Sequence, residues 1–147
     1  MKRNSNTGLI RYYIASRLEN APRVRDLKAI LDARGCWVHT YDWTVHGSVQ
    51  NEGEEVIRTV ARMEAHGVER ADVVIVLLPG GRGTHVELGM AIGFGNASHI
   101  LVLSESAEID FGQDGRTCAF YHHSDVDRVS SWGALIDKLD AIEAASW

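Results

Sequence analysis

Cysteine and proline are scarce in this chain of 147 residues, with two of each. Cys36 and Cys118 lie far apart and match no metal-ligand spacing, which excludes a disulfide scaffold and a zinc module. They read as reduced thiols of a cytoplasmic protein. Basic runs are lacking too. Fifteen Lys and Arg stand against 20 Asp and Glu, a net charge of −5, so the basic face of a duplex nucleic-acid binder is not expected. Long apolar runs are absent. The longest, Val73 to Leu78, falls far short of the ~20 residues that span a bilayer. No apolar stretch follows the basic residues near the start, so no signal peptide is expected, and residues 1–8 read as a flexible tail. No low-complexity tract or internal repeat occurs. What remains, 45% hydrophobic and 24% charged, suits one globular domain over residues 9–147.

Along that domain, short apolar runs alternate with helical periodicity. Leu9 to Ala15 predicts a strand. Val24, Leu27, Ile30 and Leu31 mark one face of a helix, and Gly35 ends it. Cys36 to Tyr41 predicts a second strand, followed by a long polar loop from Asp42 to Gly53. Glu54 to Glu69 predicts a helix with Val56, Val60 and Met63 on one side. Asp72 to Leu78, rich in β-branched residues, suits a strand buried on both faces of a parallel sheet. A glycine-rich turn, Pro79 to Gly83, leads into a helix from Thr84 to Phe94, and His99 to Leu103 predicts the fourth strand. After a polar loop from Ser104 to Thr117, Cys118 to His122 predicts the fifth strand. Trp132, Leu135, Ile136, Leu139 and Ile142 mark a last helix. This alternation predicts a doubly wound, flavodoxin- or Rossmann-like α/β fold with five parallel strands in the order 2-1-3-4-5. Ligands of such sheets bind beyond the carboxyl ends of the strands where the winding reverses, here between strands 1 and 3. The loops after Ala15 and after Leu78 should therefore flank a site.

The second of these loops is the most informative stretch: Pro79-Gly80-Gly81-Arg82-Gly83-Thr84-His85-Val86-Glu87-Leu88-Gly89-Met90. Its glycines allow close approach of backbone to a ligand, and the following helix aims free N–H groups at it. The run lacks the Gly-Lys-Ser/Thr ending of a P-loop and the spacing of a dinucleotide fingerprint. Thr84 and Glu87 also have the spacing of a capping box, in which Glu87 would only satisfy a backbone N–H. Against this, Glu87 falls at the expected crevice and three glycines precede it. A carboxylate placed there can attack an anomeric carbon or stabilise its positive charge.

Tyr13-Ile14-Ala15-Ser16, Ala71 to Leu78 and Gly83-Thr84-His85-Val86-Glu87-Leu88-Gly89 together resemble the nucleoside 2-deoxyribosyltransferase family. That family includes 2′-deoxynucleoside 5′-monophosphate N-glycosidases and CMP hydrolases. The resemblance extends over residues 10 to 140, roughly. It implies that Glu87 is the nucleophile, that Tyr13 or Tyr12 orients it, and that Ser16 contacts the sugar or its 5′ substituent. Glu64 stands where members carry an aspartate near the base. Gly81 stands where they carry a side chain that reads the sugar end, so Arg17 and Arg82 are the candidates for a phosphate. The turn also resembles the signature of cytokinin-activating phosphoribohydrolases, and both likenesses imply cleavage of an N-glycosidic bond. Gly80, Gly81, Gly83, Thr84 and Met90 complete the expected substrate contacts. A homodimer or larger assembly is implied by the family, while neither metal nor organic cofactor is.

The expected function is thus hydrolysis of, or base exchange on, a nucleoside or nucleoside 5′-monophosphate. The alternative from another class is a nucleotide sensor without turnover. Other residues carry plainer expectations: Asp72 a strand-edge polar group, His85 a surface histidine, Asn20 a helix cap, Trp37 core, and Trp43 a loop residue able to stack a base. His122 and His123, adjacent on an expected strand, would point to opposite faces and not form a metal pair.

Overall fold

In the computed structural model, residues 8–112 and 116–146 are described. The expected tail lies outside them except for Gly8. Five parallel strands form one sheet: β1 (Ile10–Ala15), β2 (Trp37–His39), β3 (Val73–Leu77), β4 (His99–Leu103) and β5 (Val126–Val129). Their order is β2-β1-β3-β4-β5, the one the alternation predicts. The central β3, Val-Val-Ile-Val-Leu, is buried throughout, as a strand covered on both faces must be.

The helices follow from local chemistry. In α1 (Ala21–Asp32), Pro22 sits in the first turn, where its missing N–H costs nothing. Gly35 after it adopts φ +79°, a conformation a side chain would strain. α2 (Glu54–Arg70) carries Glu54 and Glu55 in its first turn and Arg70 in its last, which complements the helix dipole. α3 (Arg82–Phe94) ends on Gly95 in the left-handed region, a frequent helix stop. A short α4 (Ala107–Asp110) interrupts the expected polar loop, and α5 (Trp132–Ala145) closes the chain, capped by Ser131 Oγ accepting from the Ala134 N–H at 3.1 Å.

Alternation along β1 decides what each face of the sheet meets. Tyr12 faces α1, where its hydroxyl donates to Asp32 at 2.9 Å and its ring stacks on His39. On this side α5 is tied in by Arg34 to Asp140 (2.7 Å) and by Trp37 Nε1 donating to Glu143 (2.8 Å). Tyr13 faces the opposite side, towards Gly67 of α2 and Glu87 of α3. Asp72, at the foot of β3, accepts from the Arg11 N–H at 2.9 Å and pairs with the Arg11 guanidinium.

One strand is not where the sequence predicts it. Residues Ala119–His122 form a 3₁₀ turn, and β5 is Val126–Val129, paired with β4 from Ile100–Val126 to Leu103–Val129. Only Val126 and Val129 are buried there, and Asp127 and Arg128 between them face out. An edge strand needs so little apolar surface that its pattern is faint. The aromatic run Phe120-Tyr121 mimics a strand, yet it buries Tyr121 alone and leaves Phe120 57% exposed.

Candidate active site

The crevice lies where the topology puts it. A cavity of about 360 Å³ opens beyond the carboxyl ends of β1 and β3. The segment after β1 (Ser16, Arg17), the start of α3 (Gly81 to Thr84, with Glu87), Val60 and Glu64 of α2, and the 43–50 loop enclose it.

Glu87 sits in the second turn of α3 and is 7% exposed. Its carboxylate accepts a hydrogen bond from the Tyr13 hydroxyl, which reaches it from the fully buried end of β1. Burial pushes the Glu87 carboxyl up to about 8; the Tyr13 bond works against that shift and the charge of Glu64 adds to it. Glu64, across the crevice, is also raised, chiefly by burial, while His46 acts to lower it. The Tyr13 hydroxyl is held well above its ordinary range by burial and by the adjacent Glu87, so it remains a donor. Two carboxyls raised chiefly by burial, with a phenol bound to one of them, are suited to acid–base work in a partly desolvated cleft.

The capping role that the Thr84–Glu87 spacing allows is not what Glu87 performs. The helix begins two residues earlier than predicted, at Arg82. Thr84 therefore occupies its third position, and its Oγ1 accepts from the Gly81 N–H at 3.0 Å. Glu87 faces the crevice a turn later. Gly80 does not line the crevice, and a Cβ there would lie 2.7 Å from Thr84 Cγ2, so this glycine serves the closeness of the turn. Gly81, Arg82 and Gly83 do line it.

Ser16 is more constrained than its position suggests. Its hydroxyl donates to the Leu77 carbonyl (2.7 Å) and accepts from Asn20 Nδ2 (2.9 Å), which also donates to the Pro79 carbonyl (3.0 Å). The Ser16 proton is thus committed, and towards a ligand this oxygen can only accept. Asn20, expected as a cap, makes no capping bond and staples the two loops together instead. Arg17 and Arg82 lie at the same end of the crevice, Arg17 within 3.7 Å of Glu19.

Some expected residues fall elsewhere. Tyr12 points away from Glu87 and is committed to Asp32, because neighbours on a strand face opposite sides. Met90 packs against the core and does not line the crevice. Trp43 lines it, but its indole donates to the Ile14 carbonyl (2.8 Å) and is 5% exposed, so it serves as a wall. His122 and His123 do not lie on a strand. They are engaged with Thr117 and Arg128, and with the Asp125 backbone, respectively. His85 is no free surface histidine: its ring bonds both the Gly81 carbonyl and the Tyr121 hydroxyl.

Sequence reasoning passed over His46 and the small polar residues Ser48 and Gln50 that line the outer wall. The loop carrying them is anchored: Asp42 Oδ1 accepts from both the N–H and the Oγ1 of Thr44, Arg25 donates to the Thr44 carbonyl, and His46 bonds Tyr41 (2.7 Å). Its length alone was the available signal. Gly67 was also passed over. A Cβ there would come 2.9 Å from Tyr41 Cβ and 3.1 Å from the Tyr13 ring. Gly67→Ala is expected to destabilise the protein by about 1–3 kcal/mol through overpacking, seen as a lowered midpoint in thermal melts. The displaced ring would at the same time weaken the Tyr13–Glu87 bond.

Fold and site define a doubly wound α/β protein with a buried, phenol-bound carboxylate at its topological switch point. No family model matches the chain, and no curated protein sequence matches it. Among solved structures, the CMP N-glycosidase BcmB of Clostridium botulinum shares its fold, with a TM-score of 0.55 and 19% identity over 88% of this chain and 98% of that one. At that identity the likeness is one of architecture. Among the described residues, no helix is long and apolar enough to cross a membrane, and no group of three or more His, Cys, Asp or Glu is placed to hold a metal ion.

Proposed function

We propose that the protein cleaves the N-glycosidic bond of a nucleoside or nucleoside 5′-monophosphate, with a 2′-deoxy sugar favoured by the resemblance of its motifs. The observation that carries this reading is the buried Glu87 carboxylate, bound by Tyr13 and facing a nucleoside-sized crevice at the switch point. The shared fold with a CMP N-glycosidase supports it.

In this mechanism a Glu87 oxygen bonds C1′ as the C1′–N bond breaks, and the bonding pair leaves with the base. Glu64 supplies the proton that the departing base needs. Water then attacks C1′, gives its proton back to Glu64, and releases Glu87 and the free sugar. A second base in place of water yields transfer. The productive form carries the charge on Glu87 and the proton on Glu64. Tyr13 favours the first condition by donating to the carboxylate. At the sugar's 5′ end, Arg17, Arg82 and the first free N–H groups of α3 are the donors. Ser16 contributes an acceptor.

A chromatographic assay with free nucleosides and 5′-monophosphates, ribo and deoxy, with and without an acceptor base, tests the reading. Base release is expected. Its absence from every substrate, with nucleotide still bound, would make the protein a sensor.

The pair of carboxyls also sets a pH signature. Activity belongs to the pair holding one proton, so it should fall as pH rises through the second ionisation, near 8 in the free protein. Tyr13→Phe removes a bond that lowers this value, so the alkaline limb of kcat/KM should move up, with kcat down roughly 10–100-fold. Glu64→Gln removes the proton donor together with a charge that raises the value, so turnover should fall and the ionisation of Glu87 should move down. Glu87 ionisations that do not move in opposite directions in the two variants would remove the pair from the mechanism.

A homo-oligomer belongs to the same proposal. Over its 17 residues, α2 buries only Gly67 and Val68, while Val56, Ile57 and Met63 stay 42, 40 and 46% exposed on the stripe that continues to Val60 and Glu64 in the crevice. Such a stripe suits a second copy closing the rim. Sedimentation is expected to show a dimer or larger species, shifted to monomer by Ile57→Glu.

A further inference from the structure

The histidine two positions before Glu87 holds the glycine turn in place. Within the ring of His85, Nδ1 lies 2.7 Å from the Gly81 carbonyl oxygen and Nε2 lies 2.6 Å from the Tyr121 hydroxyl. A carbonyl can only accept, so Nδ1 carries a proton. In the neutral ring Nε2 is then the acceptor, and Tyr121 donates to it. Tyr121 suits that part: it is 6% exposed, burial pushes its hydroxyl up to about 12, and its ring meets Phe111 edge-on. Its own backbone N–H is fixed to the Cys118 carbonyl at 3.0 Å. The imidazole therefore ties the turn before α3 to the segment between β4 and β5.

What this tie controls follows from peptide geometry. The carbonyl of Gly81 and the N–H of Arg82 belong to one planar unit and point in opposite directions. A ring that holds the carbonyl also sets the N–H. Arg82 opens α3 and lines the crevice, and its N–H is among those left without an intrahelical partner. The Gly81 carbonyl receives the His85 backbone N–H as well, at 3.3 Å, so ring and backbone grip the same oxygen. A Cβ at 81 would have only Arg17 Cβ nearby, at 3.8 Å, so hydrogen bonds, that of the ring among them, place this peptide.

We propose that His85 is a positioning residue that fixes the Gly81–Arg82 peptide for recognition of the sugar's 5′ group, with Tyr121 as the buttress that fixes the ring. This rests on the N-glycosidase reading for its substrate, but the latch itself is a property of the resting protein. Its hydrogen bonds go to Gly81 and Tyr121 and not to Glu87 or Tyr13, so its loss should appear in KM far more than in kcat.

The test combines nitrogen-15 NMR of the wild-type ring with three variants: His85→Leu, His85→Asn and Tyr121→Phe. Asparagine keeps an N–H where Nδ1–H stands and lacks the Tyr121 bond. The ring is expected as the Nδ1–H tautomer. His85→Leu should raise KM about tenfold, the scale of losing one well-placed contact, with a larger rise for a 5′-monophosphate than for its nucleoside. His85→Asn should recover most of this loss, and Tyr121→Phe should fall between. A proton on Nε2 alone, a KM within twofold of wild type in His85→Leu, or no recovery by asparagine would each overturn the latch. Should the wild type release no base from any substrate, the functional reading falls by itself. The ring tautomer and the calorimetric affinity of the same variants for 2′-deoxycytidine 5′-monophosphate then decide the latch.

Discussion

Glu87→Gln is expected to reduce base release by at least ~10³-fold while leaving the fold intact, the scale on which removing a covalent nucleophile acts. Glutamine keeps the size of the side chain and an oxygen for the Tyr13 hydroxyl, so the packing of β1 against α3 should survive. It loses the negative charge that C1′ needs as the base departs. Circular dichroism and the retained affinity for a nucleotide would show that the variant is folded. Turnover within tenfold of wild type would remove Glu87 from the chemistry and return it to a structural role.

The same substitution should stabilise the protein at alkaline pH. The carboxyl of Glu87 is raised from 4.5 to about 8 in the folded state. The folded protein therefore holds that proton more tightly than the unfolded chain does. Its stabilising effect is complete below the unfolded value, near 4.5. It is lost as pH rises through the folded value, near 8. Over that window wild type should lose roughly 3–5 kcal/mol relative to Glu87→Gln, which carries no ionisable group there. In melting temperature this is on the order of 10 °C for a domain of this size. Thermal melts of both proteins from pH 4 to 9 provide the check. The difference between them, variant minus wild type, should grow with pH, and a constant difference would mean that Glu87 is not perturbed. A group that ionises only at a cost in fold stability is common at reactive centres, where function and stability pull in opposite directions.

Much of the architecture is legible in the residues. The continuous apolar run of β3, the glycine-ended α1 and the alternation of strand and helix lead to the observed sheet order, and that order locates the crevice. Legibility fails where the signal is small or three-dimensional. β5 offers only Val126 and Val129 to the interior, too little to outweigh the aromatic pair before it. The choice between Tyr12 and Tyr13 needs the register of β1 against its neighbours, which sequence spacing does not supply. His85 and Tyr121, 36 positions apart, meet only because the segment after β4 returns to the start of α3. His46 reaches the crevice because its loop is tied down at Asp42, Arg25 and Tyr41, and no local pattern reports that.

The staple between Ser16, Asn20, Leu77 and Pro79 locks the loops after β1 and β3 together at the inner side of the crevice. On the stapled side each polar group answers for another, so a single replacement disturbs two loops at once. On the opposite side, residues 46–50 hang from one anchored loop and line the cavity without supporting the sheet. Mutational tolerance should be distributed accordingly, with the chain free to vary in what it grips at the outer wall and conservative in how it holds the inner one. Diversity introduced at Ser48, Val49 and Gln50 would then change selectivity among bases at little structural cost. The same effort at Ser16 or Asn20 would mostly yield damaged protein.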